Sequence, residues 1–383
     1  MSKQKNQMIE LIKSLSDNDK KSLVNEIMAM LGNEVPNDNR NDNSCAQLVQ
    51  KHAGEKPDCP HCGAKAQLGN IVKKGYRANG AQRFYCKSCG HNFVSTTNTA
   101  FAYTRKDSDT WEKFIYLTIT GESLHTCAEE CHIAYQTAFT WRHKILNVFK
   151  THQEKETNMS GKIEIDEMLI PLSFKGNHIK GKNITKRKVT LETIRNNNGL
   201  PREPLHRGSD NKSTSSKDKA CVFCMVQDGN KAFYGSVPGV GFMLNPMLDH
   251  TLAKHVDKEN AVILADQYKI TRNYLNNNNY DHMILAANTS DNVHDHKPEI
   301  RGEYHLQHVN SMHGHIRAFL RKYFGVSSKY LDNYIALFVW LKNQNAKQNR
   351  NKIQNISISR ASMSDCYINR KTLESYPAIP SCE

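Results

Sequence analysis

Two Cys-x-x-Cys pairs, Cys59-Pro-His-Cys62 and Cys86-Lys-Ser-Cys89, constrain this chain more than any other feature. Each pair can grip one side of a tetrahedral Zn²⁺ from a tight turn, and the stretch between them is long enough for a small β-hairpin. Gly63 and Gly90 directly follow the second cysteine of each pair, where a knuckle turn favours positive φ. A disulfide or a redox Cys-x-x-Cys would account for one pair. Two tandem knuckles, each with its glycine, point instead to a structural zinc ribbon over residues 56–97. Ala78-Asn79-Gly80 reads as the hairpin turn between strands at 70–76 and 82–85. Lys73, Lys74, Arg77 and Arg83 interleave with Tyr76, Phe84 and Tyr85, which suits contact with nucleic-acid phosphates.

Charge points the same way. Lys and Arg outnumber Asp and Glu by 52 to 38, and the net charge of +14 favours a polyanionic partner, DNA or RNA. A chain of 383 residues should hold two or three domains. No apolar run approaches the roughly 20 residues of a membrane span, and no apolar stretch follows Met1-Ser-Lys-Gln-Lys to make a signal peptide. A cytoplasmic location without a membrane partner is therefore expected, with the cysteines outside the ribbon as reduced thiols. Cys221-Val-Phe-Cys224 falls in a strand pattern that sends its two thiols to opposite faces, and reads as core.

Along the chain, residues 1–32 show helical spacing and 33–55 read as a linker, polar and Asn/Asp-rich from Asn33 to Asn43. Residues 108–150 read as helices. Those at 123–130 and 135–149, joined by Cys131-His-Ile-Ala134, suggest a helix-turn-helix-like DNA-binding region whose second helix carries Gln136, Thr137 and Arg142. From 161 the pattern becomes β-β-β-α-β-α-β-α, the order of a ribonuclease-H-like α/β domain running to 342. Residues 173–220 interrupt it with twelve Lys/Arg against four Asp/Glu, a basic insertion. Residues 343–383 read as a loosely ordered tail.

Asp166 lies mid-strand in Ile165-Asp166-Glu167, and Asp266 ends the apolar run Leu264-Ala-Asp266. In a ribonuclease-H-like sheet those strands are neighbours, so the two carboxylates can meet and hold Mg²⁺ or Mn²⁺. A pair of such ions about 3.5–4 Å apart suits phosphodiester displacement. Glu164 shares the Asp166 face and Glu167 points away. The run His308-Val-Asn310-Ser-Met-His313 offers Asn310 as a neutral oxygen ligand, with His313 one turn on and Arg317 seven residues past Asn310, on the same face.

These pieces, with Ala138-Phe-Thr-Trp-Arg-His-Lys-Ile-Leu146 and Gly325-Val-Ser-Ser-Lys-Tyr-Leu-Asp-Asn-Tyr334, resemble a bacterial insertion-sequence DDE transposase of the ISXO-like, zinc-ribbon-bearing family. The resemblance covers roughly residues 56–340. It implies binding of terminal inverted repeats, then metal-dependent DNA cleavage and strand transfer into target DNA, by a homodimer or larger synaptic complex at the bacterial nucleoid. The Asp-Asp-Asn pattern carries onto Asp166, Asp266 and Asn310, with His313 between the last of these and the family's Lys position, which is Arg317 here. Two alternatives are a zinc-ribbon DNA-binding regulator with an inactive ribonuclease-H-like body, and a nuclease of the same fold.

Overall fold

The computed structural model describes residues 44–176, 178–179, 200–201, 219–285, 287–288, 297–298, 304–344, 350–363 and 365–381. The expected helices of 1–32 and most of the basic insertion lie outside the described residues.

Part of the expected linker is a helix, α1 (Ser44–Ala53). Cys45, Leu48 and Val49 fall at helical spacing and are buried in the main core. The ribbon follows as three antiparallel strands: β1 (Ile71–Tyr76), β2 (Gln82–Cys86) and β3 (Asn92–Val94). Ile71, Phe84 and Phe93 form its small core with Cys59 and Cys86. Tyr76 stays 69% exposed, so this aromatic is not core.

Three helices come next: α2 (Ser108–Thr120), α3 (Leu124–Glu130) and α4 (Tyr135–Glu156). Asp107 starts α2 by accepting from the Thr110 N–H at 2.7 Å, and Ser123 starts α3 by accepting from Thr126 at 3.1 Å. Trp111 of α2 stacks on Trp141 of α4 with ring centroids 3.6 Å apart. The α4 helix runs well past the expected end at 149. Its face at Ala138, Ile145 and Phe149 is buried in the same core as the main sheet, so these helices do not stand apart as a module.

That sheet has five strands: β4 (Met159–Pro171), β5 (Lys219–Gln227), β6 (Ala232–Val240), β7 (Val256–Ala265) and β8 (Asp281–Ile284), in spatial order β8-β7-β4-β5-β6. The β4-β5 and β5-β6 pairs are antiparallel, while β7 runs parallel to β4 and β8 parallel to β7. Both faces are covered, as parallel strands require. On one side Cys221, Phe223 and Met225 of β5 pack under α5 (Asn245–His255) and α6 (Lys269–Asn277). On the other, Val222, Cys224 and Val226 pack under α4, α7 (Gln307–Arg321) and α8 (Leu331–Asn343). The two thiols therefore do point to opposite faces. Gly235 of β6 lets α8 approach closely, since a Cβ there would lie 3.0 Å from Ile335.

The expected loose tail contains two more helices, α9 (Arg350–Ala361) and α10 (Arg370–Ser375). Ile353, Ile358, Ala361 and Cys366 join the main core, and the Ala100 N–H donates to the Ala361 carbonyl at 3.1 Å. Their Asn, Ser and Lys content hid this apolar stripe. Among the described residues no helix is long and apolar enough to cross a membrane.

Candidate active site and metal centres

The ribbon brings its four cysteines together. Gly63 and Gly90 sit at φ +74° and +72°, and their N–H groups donate to the carbonyls of Cys59 and Cys86 at 2.9 Å, closing the two knuckles. Cys59 Sγ lies 3.6 Å from Cys89 Sγ, and Cys62 Sγ lies 3.7 Å from Cys86 Sγ. Zn–S bonds of about 2.3 Å in a tetrahedron place sulfurs about 3.8 Å apart, so this donor set fits one Zn²⁺. Burial opposes ionisation of Cys86, but N–H groups of Cys89 and Ser88 and the neighbouring thiols bring it down to about 6. Cys89 accepts from the His91 N–H, yet burial and the three other sulfurs push it up to about 12. The crowding that accompanies a lowered Cys86 thus raises its neighbour Cys89.

Of the basic residues expected to touch DNA, Lys73 is exposed and paired with Glu55 at 2.5 Å, while Lys74 lies 4.5 Å over the Tyr85 ring. Arg77 is exposed and Arg83 half-buried. On α4, Gln136 is exposed and Thr137 half-buried. Arg142 is a correction. It is fully buried, and its Nη2 donates to the Glu122 carbonyl at 2.8 Å and to Cys127 Sγ at 3.1 Å. A guanidinium held inside the core cannot read a base edge. Its place on the inner face, four residues past Ala138 and three before Ile145, was the signal that could have shown this.

In the main sheet, β4 pairs with β7 in parallel register from Gly161 opposite Ala261 to Glu164 opposite Leu264. Asp166 and Asp266 each follow the last pair of that register by two residues, and alternation turns Asp166 toward the face covered by α7. Asp166 retains 21% exposure. Burial, the neighbouring Glu167 and Asp266 together push its carboxyl up to about 7. Burial and Asp266 likewise raise Glu167 to about 7, although it belongs to the opposite face of β4. Asp266 itself is exposed just past the end of β7, rather than embedded in it, and accepts from the Tyr268 N–H at 2.9 Å. Asp166, midway along β4, thus feels the negative charge of Asp266 just past the neighbouring strand, an interaction a divalent cation would relieve.

The α7 helix closes the site. His313 Nδ1 lies 3.8 Å from Asp166 Oδ2. Burial and then Arg317 push His313 down to about 4, so it is neutral at pH 7, and its buried Nε2 has no hydrogen-bond partner. Asn310 and Arg317 lie three residues before and four after His313, exposed at the rim of the buried stripe of Val309, Met312 and Ile316.

Glu164 holds that helix in place. It is 5% exposed and its Oε2 accepts from the N–H groups of His308 at 3.0 Å and Val309 at 3.1 Å, while Oε1 lies 2.5 Å from His308 Nδ1. A strand carboxylate therefore caps a helix that has no side-chain cap of its own. Alternation placed Glu164 on the correct face, but nothing in the sequence signalled the cap. The ligand atoms of Glu164, His305 and His308 all lie within 4.8 Å of one another, so this group can also hold a metal ion. Glu164→Ala leaves two helix N–H groups unsatisfied next to buried Val309. It should cost about 2–3 kcal/mol in chemical denaturation, with Glu164→Gln losing less. Equal stability of Glu164→Ala and the parent would show that the cap does not hold α7.

The model of a family described as ISXO2-like transposase domain matches residues 158–343. No curated protein matches the chain. Among solved structures, a chain in the crystal structure of a pre-cleavage Mos1 transpososome is 13% identical, covering 67% of this chain and 75% of that one at a TM-score of 0.22.

Proposed function

We propose, from the match of residues 158–343 to the ISXO2-like transposase domain family, that the chain is a DDE-type DNA transposase with a ribonuclease-H-like catalytic sheet. The observation that supports the reading is the parallel β4-β7 register, which ends at Glu164 opposite Leu264, two residues before Asp166 and Asp266, with His313 Nδ1 3.8 Å from Asp166. The strand order β8-β7-β4-β5-β6, with only β5 antiparallel to the rest beside β4, supports the fold assignment.

Asp166 and Asp266 would hold Mg²⁺ or Mn²⁺, with Asn310 as the neutral third ligand. The raised carboxyls of Asp166 and Glu167 fit a site built for added positive charge. When bound, the cation stabilises charge on the phosphodiester undergoing displacement. Neutral His313 packs against Asp166 and fixes its rotamer, and Arg317 offers a cation to a DNA phosphate from the exposed face of α7. The zinc ribbon, with Lys73, Lys74, Arg77 and Arg83, and the start of α4, with Gln136 and Thr137, would bind the terminal inverted repeats. Joining two element ends to target DNA requires two such sites, hence a homodimer or larger synaptic complex.

Nicking of a labelled element end tests the reading: product should form with Mg²⁺ or Mn²⁺ and not without added divalent ion. Binding without nicking would favour a DNA-binding regulator with an inactive body, a reading to which the exposed Asn310 in place of a carboxylate lends support. Affinity for the element end should also fall about a thousandfold between 50 and 200 mM salt as phosphate contacts release counterions. A flat salt response in fluorescence anisotropy would contradict the basic surfaces as DNA contacts.

A further inference from the structure

A cavity of about 760 Å³ lies between the start of α4 and the loop that follows α7. Its size falls in the range of about 300–1,000 Å³ that takes a small organic group, and is far too small for a duplex. Tyr135 and Phe139 line it from α4, while Lys322 and Phe324 line it from the loop. Phe324 is 91% exposed and sits at φ +50°, a conformation that bulky residues rarely adopt. Tyr135 is 46% exposed. Exposed rings of this kind offer flat faces to a base.

Charge in the cavity is one-sided. Lys175, Lys322, Lys329 and Arg370 line it, and Glu374, the one carboxylate among its described lining residues, is bound to Arg370 at 2.8 Å. Deeper in, two lining side chains carry buried polar atoms without a hydrogen-bond partner, His143 at Nδ1 and Tyr323 at its hydroxyl, while the Arg142 guanidinium lies beside the Tyr334 hydroxyl. Arg142 has 0% exposure, and no carboxylate among the described residues pairs with it. Buried donors left open beside a cavity mark a place for an acceptor-rich anion.

We propose that this cavity receives an unpaired deoxynucleotide of a DNA strand, its base stacked on the rings of Tyr135 and Phe324 and its phosphate drawn by Lys322. The proposal rests on the DNA-processing reading above and adds to it a preference for single-stranded DNA beside the catalytic helix. Aromatic faces with interspersed cations bind unpaired strands through stacking and phosphate attraction, and bases inside a duplex present no free face.

The test measures anisotropy of the full-length protein with a fluorescein-labelled oligothymidylate of about 12 nucleotides and, separately, with a duplex of equal length. The exposed change Phe324→Ala, and separately Lys322→Gln, should weaken oligothymidylate binding about tenfold and leave duplex binding unchanged. Duplex binding also reports that each variant is folded. Unchanged oligothymidylate affinity, or equal loss on both probes, would overturn the proposal. Free thymidine monophosphate competing as well as the oligonucleotide would assign the cavity to a nucleotide ligand instead and overturn the DNA assignment. Duplex binding by the parent protein without oligothymidylate binding would sink the cavity alone; loss of both would sink the DNA reading with it.

Discussion

Cys86→Ser should leave a chain that no longer retains zinc and whose ribbon is unfolded. The ribbon has only three short strands and a core of Cys59, Ile71, Phe84, Cys86 and Phe93. A sheet of that size buries too little apolar surface to offset its chain entropy. Neighbouring thiols also resist joint ionisation: Cys89 is pushed up to about 12 while Cys86 falls to about 6. A tetrathiolate-bound Zn²⁺ removes both problems and contributes about 10–16 kcal/mol. The parent protein should carry one zinc per chain. The variant should carry none and be cut by trypsin at Lys73, Lys74, Arg77 and Arg83, where the zinc-bound parent is protected. A Cys86→Ser protein that resists trypsin at those sites would show that the ribbon folds without metal.

The second large effect belongs to Asp166→Asn, which should abolish DNA cleavage while making the metal-free protein more stable. The native carboxyl is raised to about 7 from an ordinary value near 3.8, by burial first and then by Glu167 and Asp266. A group raised on folding binds its proton more tightly in the native state, so its ionisation erodes stability as pH climbs from about 4 to about 7. Above that window the full penalty stands, and Asn, which never ionises, escapes it. Asn can still accept the Glu167 N–H bond that Asp166 Oδ1 takes at 2.9 Å. Without divalent ions the variant should gain on the order of 2 kcal/mol at pH 8 in denaturant titrations, and little at pH 4. A loss of stability at pH 8 would mean that the carboxylate is held by an unseen favourable partner rather than poised for a cation.

Much of this was legible in the residues. The cysteine spacing and the two following glycines set the knuckles, and alternating apolar residues located β4, β5 and β7 with Asp166 inside and Asp266 at an end. Those signals are local, so a sequence carries them openly. Arg142 misled because a cation on a helix-turn-helix pattern invites a DNA contact, yet its stripe with Ala138, Ile145 and Phe149 turns inward. Helix α1 and the helices past 343 were missed because polar residues crowd short apolar stripes whose partners lie far away in the chain. Strand β3 has only three residues, too few for a pattern. The Glu164 cap joins residues 144 apart, a pairing that only the folded sheet creates.

The most direct test of the catalytic assignment is strand transfer of a labelled element end into plasmid DNA with Mg²⁺ or Mn²⁺, the parent protein beside Asp266→Ala. Asp266 is exposed past the end of β7, so its removal should spare the fold. Joined product from the parent and its loss by at least about a thousandfold in the variant is the expected result, since the cation site is several kcal/mol of transition-state stabilisation. Joined product at equal rates from both proteins would place the chemistry elsewhere in the chain and contradict the pairing of Asp166 with Asp266.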